Sequence, residues 1–321
     1  AGEHADAAQT YEALIGSAPK SRWAVAVLGP AVIEHTEAGD FAAAKKAFDR
    51  YRAQATGPPD RGVLQQTARL ARQAGEVEWA IALYQILSET AAEPDAGAAA
   101  LEKIVQTQIE SDQHADAEQT LKKLVAATSD ACRKAEATFQ LANTQMRLSH
   151  NSDALKSYLK IKQEWPDCDS AIPAALQAGG LLAEAGDRKK AAELYAALID
   201  QNLSKEEQAE LLYRWAWVLA DLGRTDEAIE KFARLHEQAT DSPYWADATY
   251  RLAEHALEQG NPALARSFLT KLLAGNQDAD LQEYALYLLS RAAGSMRDWD
   301  AAQKALEELV EQFPTSKLRN G

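Results

Sequence analysis

The chain has 321 residues, 46% hydrophobic and 26% charged, and its seven Trp, ten Tyr and six Phe exclude an intrinsically disordered segment. Acidic residues outnumber basic ones 48 to 34, and the net charge of −14 disfavours nucleic-acid binding, because such a surface repels phosphate backbones. No apolar run approaches the ~18 residues of a membrane span, and Cys132 and Cys168 are too few for a disulfide scaffold.

Alanine is the commonest signal, at 66 of 321 residues, and it favours helix throughout. Read from the N-terminus, an alanine is followed four residues on by Tyr, Phe or Leu, and seven on by a large apolar residue. The pattern starts at Ala7 (Tyr11, Leu14) and recurs at Ala44, Ala80, Ala117, Ala154, Ala191, Ala228, Ala265 and Ala302. Every step is 37 residues except one of 36. Positions i, i+4 and i+7 share one helix face, so each unit holds an amphipathic helix, here termed helix B.

Five residues ahead of the alanine stands Gly2, Gly39, Gly75, Gly186, Gly223 or Gly260, which reads as the C-terminal cap of a preceding helix A. Seven residues before that cap lies a column of small residues, Ala68, Ala142, Gly179, Ala216, Ala253 and Ser290, suited to close helix contact. Prolines 19, 58, 94, 166, 243 and 314 fall between units, and Ser242-Pro243 reads as an N-cap followed by the first helical residue. Gly29-Pro30 should kink or divide the helix it interrupts, with Trp23 packing over the gap. The count is helix B of a first unit over 1–19 and eight A–B pairs over 20–321. That makes about 17 helices in one all-α solenoid spanning 1–321.

The small residue, the glycine turn, the Ala-x-x-x-Phe/Tyr helix and the inter-unit proline resemble the tetratricopeptide repeat (TPR) family. The period departs from that family's usual 34 residues. Units ending in Phe313-Pro314-Thr315-Ser316 or Asp241-Ser242-Pro243-Tyr244 resemble bacterial envelope members, of the Tol–Pal-associated coordinator and outer-membrane assembly lipoprotein types. The resemblance implies a right-handed superhelix of antiparallel helix pairs, with a protein or peptide partner in its concave groove. It also implies a periplasmic or outer-membrane-associated location, the cytoplasm being the alternative. The chain starts on a turn leading into a helix B and stops where a helix A would begin, without polar caps. It is therefore expected to be a segment of a longer protein. Self-association through uncapped ends, a spacer role, or service as the non-catalytic arm of an enzyme are further readings.

If the A helices line the groove, as the resemblance implies, one inward column holds Gln65, Phe139, Leu176, Tyr213, Tyr250 and Tyr287. The column four residues on holds Arg69, Asn143, Gly180, Trp217, Glu254 and Arg291. Tyr and Trp are effective binding anchors, offering large rigid rings with one polar edge. The candidate partner site is therefore Tyr213, Trp217, Tyr250, Glu254, Tyr287, Arg291 and Gly180. Packing between adjacent A helices is the competing explanation for the rings. Gly180 either leaves a pit beside Trp217 or serves backbone packing. Glu210, Asp221, Asp247, Glu254 and Glu258 would make the same region acidic.

Cys132 and Cys168 are placed at the starts of consecutive A helices, about 10 Å apart, beyond the ~7 Å Cα limit of a disulfide, so two free thiols are expected. No phosphate-binding loop, metal helix or nucleophile elbow is present, and the six histidines are scattered. Neither enzymatic activity nor a metal or other cofactor is expected.

Overall fold

The computed structural model describes residues 2–54, 57–275 and 279–318, and among these the chain is entirely helical, with 18 helices and no strand. It divides into two compact units, residues 1–171 and 172–321. The first contains α1 (Gly2–Ser17), α2 (Arg22–Ala26), α3 (Leu28–Glu37), α4 (Phe41–Gln54), α5 (Arg61–Gln73), α6 (Val77–Glu89), α7 (Pro94–Glu110), α8 (His114–Ala127), α9 (Ala131–Arg147) and α10 (Asn151–Glu164). The second is built from α11 (Ala171–Glu184), α12 (Arg188–Ala196), α13 (Lys205–Asp221), α14 (Thr225–Gln238), α15 (Trp245–Glu258), α16 (Pro262–Gly275), α17 (Ala279–Ser295) and α18 (Trp299–Gln312). Within each unit a helix packs chiefly on its sequence neighbours, the nearest-neighbour organisation of a TPR-like solenoid.

The alanine columns explain that packing. Ala44, Ala80, Ala117, Ala154, Ala191 and Ala265 on the B helices, and Ala68, Ala142, Ala216 and Ala253 on the A helices, are completely buried. Beside them Tyr84, Leu121, Tyr158, Tyr195, Phe232 and Leu269 fill the interior. Where an alanine brings two backbones close, the larger residue one turn on fills the space alongside. In α1 the buried positions are Ala8 and Ile15 rather than Ala7 and Leu14, so the first stripe is shifted by one residue. Tyr11 belongs to both readings, which is why the sequence pattern did not resolve them.

Five cap glycines, 39, 75, 186, 223 and 260, have φ between 71° and 88°, the left-handed conformation that ends a helix. Units without glycine keep the same conformation: Asp112, Ser149 and Arg297 occupy the equivalent positions at φ 57°, 60° and 61°. Gly2 is the exception, lying inside α1 rather than capping a helix. At Ser242-Pro243 the helix starts later than expected. The Ser242 hydroxyl accepts from the Tyr244 amide at 3.2 Å, both residues lie in a turn, and α15 begins at Trp245.

The helix carrying Gly29-Pro30 is divided, giving α2 and α3. The break falls at Val27 because Pro30 has no N–H to offer the Ala26 carbonyl and its ring crowds that group. Trp23 does not cover the gap: it is 61% exposed, with the Arg22 guanidinium 4.6 Å above its ring. Gly29 instead admits Val63, whose Cγ2 would come within 2.8 Å of any Cβ placed there.

The cysteines form a disulfide, Cys132–Cys168, with Cα atoms 5.2 Å apart. The expectation of free thiols failed because it placed both residues on helix starts. Cys132 lies in the first turn of α9, but Cys168 belongs to the turn after α10, three residues ahead of α11, and that turn reaches back to α9.

Candidate functional site

Helices α13, α15 and α17 are the A helices that carry most of the candidate residues. The first is firmly started: the Ser204 hydroxyl accepts from the Glu207 amide at 3.1 Å, and the Glu207 carboxylate accepts from the Ser204 amide at 2.8 Å. Nine residues along, Tyr213 is half-buried and stacks on Tyr244, with centroids 4.6 Å apart. Its hydroxyl donates to Asp247 Oδ2 at 3.0 Å. Burial, reinforced by the Asp247 carboxylate, raises the Tyr213 pKa, so the phenol remains a donor. Trp217, also half-buried, meets Tyr213 edge-on at 6.4 Å and Phe232 at 5.8 Å.

The residue that joins this wall together is Arg251 on α15, which the sequence reading did not single out. Its guanidinium lies 4.8 Å above Trp217 and 5.4 Å from the Tyr250 ring. Two carboxylates of its own helix hold it there. Glu254 Oε2 accepts from Nη1 at 2.8 Å, and Asp247 Oδ1 lies 3.4 Å from Nε, close enough for ion pairing without a hydrogen bond. The signal was the i−4 and i+3 spacing of Asp247 and Glu254 about Arg251, which places both acids on the arginine's side of the helix.

The three tyrosines at 37-residue spacing have different environments. Tyr250 is 9% exposed and packs among Ala253, Leu269 and Leu272, and burial, with Glu254 nearby, pushes its pKa up to about 12. Tyr213 is in the aromatic wall. Tyr287 is half-buried and, with exposed Arg291, borders a separate apolar depression of about 730 Å³ along α18, whose walls include Trp299, Leu306 and Val310. Gly180 lies under another group: the Arg214 Nη1 sits where it would be 2.9 Å from a Cβ at 180. Arg214 in turn pairs with Glu210 at 2.7 Å. The structure thus brings Tyr213, Trp217, Tyr250 and Glu254 together around Arg251, and leaves Gly180, Tyr287 and Arg291 apart from them.

The acidic residues are largely neutralised locally. Glu210 pairs with Arg214, Asp221 with Arg188 at 2.8 Å, and Asp247 and Glu254 with Arg251. Glu258 is exposed.

Paired helices with a small-residue seam, a left-handed cap and an aromatic-lined A face define a helical-repeat fold, a TPR-like solenoid. Residues 176–243 and 284–316 match family models of the tetratricopeptide repeat, and these stretches carry the Tyr213–Trp217 wall and the Tyr287–Arg291 pair. The C-terminal part of a TPR repeat-containing protein from Cytophaga hutchinsonii is similar in structure, with a TM-score of 0.61 at 14% identity over 79% of this chain and 96% of that one. PilF of Pseudomonas aeruginosa is similar with a TM-score of 0.52 at 18% identity, over 71% and 96%. At these identities the likeness is one of fold. No curated protein matches the chain in sequence.

Proposed function

We propose that the chain is a non-catalytic interaction scaffold that holds a segment of a partner protein against the A helices of its second unit. The TPR fold supports the broad class, since stacked helix pairs offer an extended surface for another chain. The observation that carries the specific reading is the Tyr213–Trp217–Arg251 wall, where half-buried rings and a guanidinium are already fixed by Asp247, Glu254 and Tyr244. Pre-ordered aromatic and arginine side chains lose little entropy on binding and are the usual energetic centres of interfaces.

The test is affinity capture with the purified chain, beside Trp217→Ala and, as a control on a B helix, Lys189→Ala. The expected result is a partner retained by the original chain and the control and lost by Trp217→Ala. Retention by all three would refute the site.

A second reading has its own observation. Tyr284, Trp299, Leu306 and Val310 are 51%, 66%, 41% and 42% exposed, an unusual concentration of large apolar groups on the last helix pair. Assembly through this face would make the molecular mass rise with concentration, and Leu306→Glu would abolish the rise.

No described helix is long and apolar enough to cross a membrane. The disulfide supports an oxidising compartment, which in a bacterium means the periplasm or the outer-membrane surface. Thiol labelling of the cell-derived protein without reductant should find both cysteines blocked. Free thiols would favour the cytoplasm.

A further inference from the structure

The first unit contains a cavity of about 310 Å³ whose wall gathers four cations, Arg61, Arg69 and Arg72 from α5 and Lys103 from α7, above a floor that includes Tyr84 and Leu87 of α6. This is a local reversal of sign in a chain with a net charge of −14. One cation is partly satisfied: Arg72 pairs with Glu110 at 3.5 Å, although its buried Nη1 has no hydrogen-bond partner. Among the described residues no carboxylate pairs with the other three. Among the described residues Arg69 donates only to Gln73 at 3.2 Å and Lys103 only to Gln106 at 3.4 Å, both neutral, and Arg61 has no side-chain partner.

Spacing brings the arginines together. Positions 61, 69 and 72 fall on one stripe of α5, and their long side chains converge on one cavity. Guanidinium groups recognise planar or tetrahedral oxyanions through paired N–H donors, and lysine adds a point charge. Leu87 and the Tyr84 ring, both buried, give the floor an apolar surface against which a short carbon body can rest. The volume is near the lower end of small-molecule sites, at roughly 300–1,000 Å³.

We infer that this cavity is a binding site for a small organic polyanion, a phosphoester or polycarboxylate carrying at least two negative charges. It is separate from the aromatic wall of the second unit and does not rest on the reading of that wall. The anion's oxygens accept from Arg69, Arg72 and Lys103, and its body lies over Tyr84 and Leu87. The chain thereby gains a small-molecule input alongside its role as a scaffold.

The test is calorimetric titration of the intact chain with sodium pyrophosphate and with citrate at constant ionic strength, alongside a Glu-rich peptide. The expected result is saturable binding of at least one small anion, weakening as salt rises. The Arg69→Gln/Lys103→Gln double variant should lose about tenfold or more in affinity. Both side chains are exposed, and circular dichroism checks that the variant keeps its helicity. Arg61→Gln provides a second, milder variant with a smaller loss. Failure of both small anions to bind overturns the proposal, as does equal binding by the double variant. Binding of the Glu-rich peptide alone also overturns it, since the site would then read an acidic protein segment.

Discussion

The ring of Tyr195 occupies the space that a Cβ on Gly179 would need, and its hydroxyl donates to the Leu176 carbonyl at 3.4 Å. A glycine in the middle of α11 is therefore the counterpart of a tyrosine on α12. The adjacent Gly180 faces only the tip of the long Arg214 side chain. The two glycines should thus respond oppositely. Gly179→Ala should destabilise the protein by about 1–3 kcal/mol through overpacking, while Gly180→Ala should stabilise it by about 0.5–1 kcal/mol through helix propensity. Urea unfolding of the two single variants checks both signs.

The caps allow a second comparison. Arg297 and Ser149 hold the left-handed conformation that glycine supplies at five equivalent positions. Changing either to glycine should relieve backbone strain and raise stability by about 0.5–1 kcal/mol. Asp112→Gly should gain less, because aspartate tolerates this conformation better. Gly223→Ala should cost about 1 kcal/mol in the opposite direction. Thermal melts of the four variants would reveal the ordering.

These contrasts show where the sequence was informative. The recurring Ala-x-x-x-Tyr/Phe/Leu pattern displays the helix pairs because every unit buries the same face, so one stripe is read many times over. Two neighbouring alanines, Ala7 and Ala8, were enough to blur that stripe in α1. Single events were harder to see. The cysteine pairing depends on how the turn at 165–170 folds back on α9, and no periodicity records the path of a turn. At the candidate site the columns located rings but not their surroundings: Tyr250 and Tyr287 share a register, yet only Tyr250 is covered by α16. Arg251 was passed over because its importance comes from a ring on a different helix, Trp217 on α13.

Removing the disulfide should cost the first unit about 2–4 kcal/mol, given a bridge across 36 residues. Cys132→Ser/Cys168→Ser, or the original chain in reductant, should melt earlier by the same amount. Hydrogen exchange should accelerate in α9 and α10 and be unchanged in α15 to α18. A uniform acceleration would mean that the bridge supports more than its own repeat.

Three tyrosines make stability sensitive to alkali. Burial holds Tyr158, Tyr195 and Tyr250 each up to about 12, against an ordinary 10.0. Their folded pKa is raised, so the unfolded chain loses these protons first. The stabilisation is complete below pH 10, declines between 10 and 12, and does not fall further above 12 on their account. Each contributes a slope of about 1.4 kcal/mol per pH unit across that window. Melts from pH 9 to 12, with phenolate absorbance followed in parallel, should show at least these three of the ten tyrosines ionising late and together with unfolding.

The bridge between Cys132 and Cys168 also has a mechanical meaning. Pulled from its two ends, a stacked array of helix pairs lengthens by peeling, each lost pair releasing its full contour. The 36-residue span closed by the disulfide cannot follow. About 120–130 Å of chain stays withheld from extension however far the neighbouring helices are drawn out. A thiol reductant would release that reserve in one step, so the length of the stretched molecule would report the redox state around it.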